Sequence, residues 1–438
     1  MIYPLALIAA TILFAAIAWR DVRHGVYLIA ALLPAYLLRS SVGPIPTTLL
    51  EGMILTVVLI YIAKTRPSLR SIVPNGWALP MGLLLLAATV GILVAPDRLS
   101  ALGIWKAFYL EPMLLFAVIA DLIRRDVSSH VSPPHGEEGT GVVVERILIA
   151  LAAGGLFVAV AAIAQKLTGL GIPIPWDVEG RVTSVFPYPN AVGLYLGPIV
   201  VMSAILSLRA HQSEAISRVG LLRFARNDKT ILLISTAFLG FVAIVLAQSE
   251  AAIAAVLATL FLAAISTRRF RTPAIAAACL SVLLVLSVPA SRGYLLDKLA
   301  FRDYSETVRL SQWAETVDML KDNPIFGAGL NGYPTAMIPY HRATHIEIFQ
   351  YPHTLFLNIW VELGILGLVA FGLVAWRVEQ SAISNFQFPI SLAFFPLLAM
   401  TLHSLFDVPY FKNDLAAMTW IFLAVVAASY AKNSRVSE

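Results

Sequence analysis

Of the eight histidines in 438 residues, one opens the apolar run YPHTLFLNIWVELGILGL, residues 351–368. Histidine titrates near physiological pH, so His353, at the mouth of a hydrophobic helix beside Tyr351 and Phe356, has the chemistry of a general base. Two arginines are placed to meet an anion. Arg181 is the strong cation of KLTGLGIPIPWDVEGRVTSVFPYPN (166–190). It either snorkels to lipid phosphate or offers its planar fork of donors to the phosphates of a lipid-linked substrate. Arg309 precedes Trp313 by four residues, so on a helix the two share a face, and stacking would aim the guanidinium. A solvated surface arginine is the alternative reading. Trp313 and Tyr351 are the aromatic candidates for substrate binding. His341 and His345 have a four-residue spacing that suits a metal on one helical face, but no third ligand accompanies them and no metal is expected. Ser249 and Glu250, at a tight turn, and His403 and Asp407, at another helix end, read as structural or interfacial groups whose carboxylates could line a cavity.

The segments that must hold these residues are solvated by lipid. The chain is 59% hydrophobic and 13% charged, whereas a soluble domain carries about a quarter charged residues. Apolar runs recur from end to end without the alternation of a barrel strand, so the expected fold is all-α and polytopic. Runs end at approximately 4–19, 25–38, 46–63, 77–95, 101–120, 146–165, 190–208, 230–247, 250–265, 273–290, 353–375, 388–403 and 415–431, which predicts 12–13 transmembrane helices in one membrane domain spanning 1–438. The short second run and the stretch Val42–Leu50 read as a re-entrant turn or a tilted extension. The first run has no basic n-region and is expected to be retained as a span. Cys279 is the sole cysteine and cannot form an intrachain disulfide.

Formal charge is +5, but the basic residues concentrate in one set of alternate connections, among them Arg20 and Arg23, Lys64 and Arg66, Arg124 and Arg125, and Arg268 and Arg269. That pattern orients a membrane protein and does not imply nucleic-acid binding. It makes 121–145 a cytoplasmic loop, with His130 and His135 as ordinary loop residues. It turns 166–189 and the large loop 291–352 to the outer face, together with His353. SRVGLLRFARNDKT (217–230) is either a plain cytoplasmic loop or a segment lying on the anionic inner leaflet. Within the outer segment, 304–319 has helical character with Val308, Trp313, Val317 and Leu320 as its apolar face, and KDNPIFGAGLNG stops it.

Three stretches, GRVTSVFPYPNAVGLYLGPIVVM, RLSQWAETVDMLKDNPIFGAGLNGYP and HTLFLNIWVELGILGLVAFG, in this order across 180–372, resemble the O-antigen ligase family of bacterial membrane proteins, which includes O-antigen polymerases and protein O-oligosaccharyltransferases. The resemblance implies an inner-membrane protein of about twelve helices with an active site facing the periplasm or cell exterior. It implies an undecaprenyl-diphosphate-linked glycan as donor and a lipid, glycan or protein as acceptor, with no cofactor. Arg181 and Arg309 then fall on the diphosphate and His353 on the acceptor hydroxyl. Glu362 falls in a glutamate-glycine signature that supports helix packing. Two positions depart from the pattern: SEA at 249–251 replaces a serine-arginine-glycine turn, and Thr354 replaces asparagine. Direct displacement with inversion is the expected chemistry, without a metal. Polymerisation shares the donor chemistry, and a bicarbonate-transporter-like role or a non-catalytic relative are the other readings.

Overall fold

In hydrocarbon no water satisfies the peptide groups, so each segment must close its own hydrogen bonds. The computed structural model describes residues 2–42, 45–68, 72–129, 141–214, 220–300, 304–384 and 390–430, and most of these are helical. The order is α1 (Ile2–Arg20), α2 (Val22–Ala31), a 3₁₀ turn (Leu33–Leu37), the antiparallel hairpin β1 (Arg39–Val42) and β2 (Ile45–Thr48), and α3 (Leu49–Thr65). α4 (Ala78–Val94) follows, then α5 (Arg98–Ile104), which runs through a π-helical turn (Trp105–Leu110) into α6 (Glu111–Ser129). Next come α7 (Val142–Thr168), the single turn α8 (Trp176–Glu179), α9 (Asn190–Glu214), α10 (Gly220–Leu246), α11 (Glu250–Ser266) and α12 (Arg268–Ser287). The chain closes with α13 (Pro289–Leu299), α14 (Tyr304–Asp322), α15 (Tyr333–Met337), α16 (Leu355–Ser384), α17 (Ile390–His403) and α18 (Asn413–Tyr430). Among the described residues six helices are long and apolar enough to cross a membrane, and five shorter apolar helices accompany them. The protein is an all-α polytopic membrane protein.

Several boundaries differ from the hydropathy breaks, for physical reasons. The second run is a helix of only 10 residues followed by the 3₁₀ turn, about 15 Å of α-helix at 1.5 Å per residue. Val42–Leu50 contributes to a hairpin and to the capped start of α3, where Thr48 accepts from the Glu51 N–H at 3.3 Å. Of the segment 121–145, residues 121–129 and 142–145 are helical. The polar residues there do not end the helix, because Asp121 pairs along it with Arg124 and Arg125 at i+3 and i+4 and receives the Tyr61 hydroxyl. His130 and His135 lie outside the described residues, as do 215–219 of the basic connection, which is helical from Gly220.

All of the segments that could carry chemistry meet at one end of the bundle. The opposite end is tied by the basic residues: Lys229 pairs with Glu145 at 2.6 Å, and Arg377 donates to the Asn75 carbonyl at 3.0 Å. At the site end, the loop after α14 threads into a break in α16. Gly364 there has φ 64° and ψ −165°, and the freed backbone groups are taken by the loop: Ile365 N–H donates to Ile325 O (3.0 Å) and Ala328 N–H to Val361 O (2.7 Å). A Cβ on Gly364 would lie 2.0 Å from Ile325 O. The same loop reaches α4, where Leu330 N–H donates to Gly91 O at 3.1 Å. Glu362 sits at this crossing, buried, and accepts the Asn331 N–H.

Candidate functional site

His353 occupies the turn between this loop region and α16 in a left-handed backbone conformation, φ 48°. A non-glycine residue there costs free energy and persists only where its surroundings hold it. Three anchors do so. Gln312 of α14 donates its side-chain N–H to Tyr351 O at 3.1 Å, and one residue further along α14 the Trp313 indole N–H donates to Pro352 O at 2.8 Å. On the other side, Leu355 N–H donates to Ser404 O at 3.0 Å, tying the start of α16 to the end of α17. The imidazole is flanked edge-on by Phe349 and Tyr351, with centroids at 5.0 and 5.7 Å.

The ring's Nδ1 faces Asp407 Oδ1 at 3.8 Å, an ion-pair distance longer than a hydrogen bond. Asp407 is 5% exposed, and its Oδ1 also accepts the Val408 N–H at 2.8 Å. Burial by itself would push this carboxyl up, but His353, His403 and the Val408 N–H together hold it below the ordinary carboxylate range. Among the described residues Nε2 has no hydrogen-bond partner, and the side chain is 25% exposed.

Arg309 lies close enough to His403 to act on it electrostatically, as Asp407 does. It is partly buried and, among the described residues, makes no hydrogen bond, ion pair or ring contact. The expected stacking on Trp313 is replaced by the Trp313–Pro352 bond. Of the expected apolar face of α14, Leu320 is buried but Val317 is 41% exposed, and Gln312, Glu315, Thr316 and Met319 are buried instead. Polar partners lie beneath that face. Thr316 and Tyr333 share a hydroxyl contact at 2.8 Å, and Glu315 accepts the backbone N–H groups of Arg342 (2.8 Å) and Ala343 (3.0 Å). His341 spends both ring nitrogens here, facing Glu315 at 3.1 Å and Ile346 O at 2.9 Å.

Arg181 differs from Arg309 in being fully engaged. It donates to Ala247 O and Asn190 Oδ1, both at 3.1 Å, pairs with Glu179 at 3.5 Å and lies 5.3 Å from the Trp176 ring. It thereby pins the 176–190 connection to the turn before SEA, where Glu250 pairs with Lys298 at 2.7 Å. No direct contact joins Arg181 to His353. The link between their segments is the Tyr188–Tyr351 hydroxyl pair at 3.5 Å. Burial is the main cause that pushes the Tyr351 hydroxyl up to about 12, so it is a neutral donor at working pH. Tyr188 was not singled out in the sequence, and neither were Arg39 and Lys412.

Residues 235–372 match the family model described as O-antigen ligase. Over this segment the chain is similar to the O-antigen ligase family. The matched segment holds Arg309, Trp313, Tyr351, His353 and Glu362, while Arg181 and Asp407 lie outside it. A search of curated proteins finds no match. Members of this family are ligase- or polymerase-like glycosyl-transfer enzymes that use lipid-linked glycans in a membrane.

Proposed function

We propose that this chain is a member of the O-antigen ligase family and moves a glycan from undecaprenyl diphosphate to an acceptor hydroxyl on the periplasmic face of the bacterial inner membrane. The observation that carries the reading is His353, held in a left-handed turn with Asp407 facing Nδ1 and with no partner for Nε2 among the described residues, while Arg309 has no anion among the described residues either. The acceptor oxygen bonds to the anomeric carbon as the bond from that carbon to the diphosphate oxygen breaks. The electron pair leaves with the diphosphate, and the acceptor proton passes to Nε2 of His353. Arg309 neutralises charge growing on the leaving group, and a diphosphate so held needs neither a general acid nor a metal. Arg181 shapes the donor entrance through the 176–190 connection, and Tyr351 offers its hydroxyl to the bound substrate.

The test is transfer in proteoliposomes from a purified undecaprenyl-diphosphate glycan to a membrane-lipid acceptor fraction, with EDTA present. His353→Ala should lose on the order of 10²- to 10⁴-fold in rate while binding donor normally, and His353→Asn, which cannot take a proton near neutral pH, should do no better. Arg309→Ala should weaken donor use, with Arg309→Lys partly restoring it. Wild-type turnover by both His353 variants would end the reading.

A further inference from the structure

Lys412, in the short connection between α17 and α18, is a cation whose position the transfer reading does not use. Its stem is partly exposed, yet its Nζ is buried and finds no hydrogen-bond partner among the described residues. Three rings from two separate segments surround it instead: Phe186 at 4.9 Å, Tyr36 at 5.2 Å and Tyr188 at 5.3 Å to the centroids. Tyr188 is the residue whose hydroxyl meets Tyr351, the neighbour of the His353 ring, so the cage lies directly beside the proposed centre. Arg39, at the start of β1, is exposed and acts electrostatically on Lys412, and among the described residues its side chain has no ion pair or hydrogen bond.

The carboxylates nearby offset part of this charge without bonding it: Asp414 and Asp407 both act on Lys412 electrostatically, but Asp407 also faces His353, and among the described residues neither oxygen of Asp414 has a hydrogen-bond partner. An ammonium is ordinarily held by acceptors when buried, and ring faces compensate only part of its lost hydration. Two like charges placed together raise the cost further. A phosphate-bearing ligand would remove it, because its oxygens accept from both cations and its charge matches theirs.

We propose that Lys412 and Arg39 form a second phosphate subsite beside His353, which takes a phosphate of the lipid diphosphate donor when the ammonium swings out of its ring cage. The assignment rests on the proposed function for the identity of the donor. Phosphate esters reach this end of the protein from two sources, the donor diphosphate and phospholipid headgroups, and the subsite is assigned to the first. At rest the cage stores the cation, and four rotatable bonds in the partly exposed stem let it reach the ligand.

The experiment measures binding to the full-length protein in phosphatidylcholine nanodiscs with undecaprenyl diphosphate as one probe and phosphatidylglycerol as the other. Lys412→Met keeps the cage filled with an apolar stem and removes the charge, and Arg39→Ala removes the second cation at an exposed position. Each should weaken undecaprenyl diphosphate binding by on the order of 10- to 100-fold with little change for phosphatidylglycerol, and Lys412→Arg should retain part of it. If Lys412→Met fails to fold, Arg39→Ala carries the test. Wild-type diphosphate binding by the folded variants would overturn the subsite, as would losses confined to phosphatidylglycerol, which would make it a headgroup site. Absence of diphosphate binding by the wild-type protein would overturn the subsite and the transfer reading together. Loss of binding in Lys412→Met beside normal transfer by His353→Ala would leave the subsite standing and remove the catalytic reading.

Discussion

Asp407→Asn isolates the charge behind His353 with little change of shape. Asparagine keeps an oxygen for the Val408 N–H, so the turn after α17 retains its bond, and only the negative charge 3.8 Å from Nδ1 disappears. At that separation the attraction between the carboxylate and an imidazolium is about 4 kcal/mol at an effective dielectric near 20. His353 is 25% exposed, so solvent screens part of this. If about half survives, the transition state in which His353 gains the acceptor proton loses about 2 kcal/mol, or about 30-fold in rate. The carboxylate faces the imidazole, so donor binding should be unchanged, and the loss should appear in kcat. The assay is the proteoliposome transfer reaction, with thermal unfolding of each variant alongside. The sign with pH is also fixed. Because the Asp407 carboxyl is held below the ordinary carboxylate range, wild type should exceed the Asn variant at every pH above that depressed value, and the two should converge below it. An Asn variant within about threefold of wild type across this range, equally stable, would refute the pairing and make Asp407 a packing residue.

Gly364→Ala should cost about 3 kcal/mol or more, because its φ 64° and ψ −165° suit only glycine and its new methyl would meet Ile325 O at 2.0 Å; the expected result is a sharp fall in melting temperature or in accumulation. Glu315 is pushed up by burial, but the Ala343 and Arg342 N–H groups and His341 outweigh this and lower it, so its contribution is present above the ordinary carboxylate range and is lost as pH falls through the depressed value. Glu315→Gln should therefore flatten the acid-induced increase in proteolysis of 333–350, at a cost of about 1–3 kcal/mol near neutral pH. In a Cys279→Ser background, cysteines at Thr344 and Ser68 should label from opposite faces of the membrane, with position 344 reached from outside. Labelling of both from one face would overturn the orientation.

Hydropathy alone determined that this chain folds as membrane helices, because a backbone in lipid has few other ways to bond and the apolar runs have the length to use them. Local spacing determined that 304–319 is helical, that the glycine- and proline-rich stretch after it is a formed loop, and that His353 stands at a helix mouth. It did not determine which face of α14 is buried, because Thr316 and Glu315 find polar partners that arrive from 333–343, and apolar periodicity counts such residues as exposed. Nor did it separate Arg181 from Arg309. Both are arginines in polar segments, and only the packed structure surrounds the first with Ala247, Asn190 and Glu179 while giving the second no partner among the described residues. Lys412 carried a faint signal, a lysine in a connection assigned to the side that the charge rule depletes, but its ring cage comes from Tyr36, Phe186 and Tyr188, distant in the chain. Asp407 likewise becomes the partner of His353 only when Leu355 bonds to Ser404 and brings α16 against α17. Sequence patterns encode the state of a segment through its own residues, whereas a site is a set of distances between segments, and those are fixed only when the helices pack.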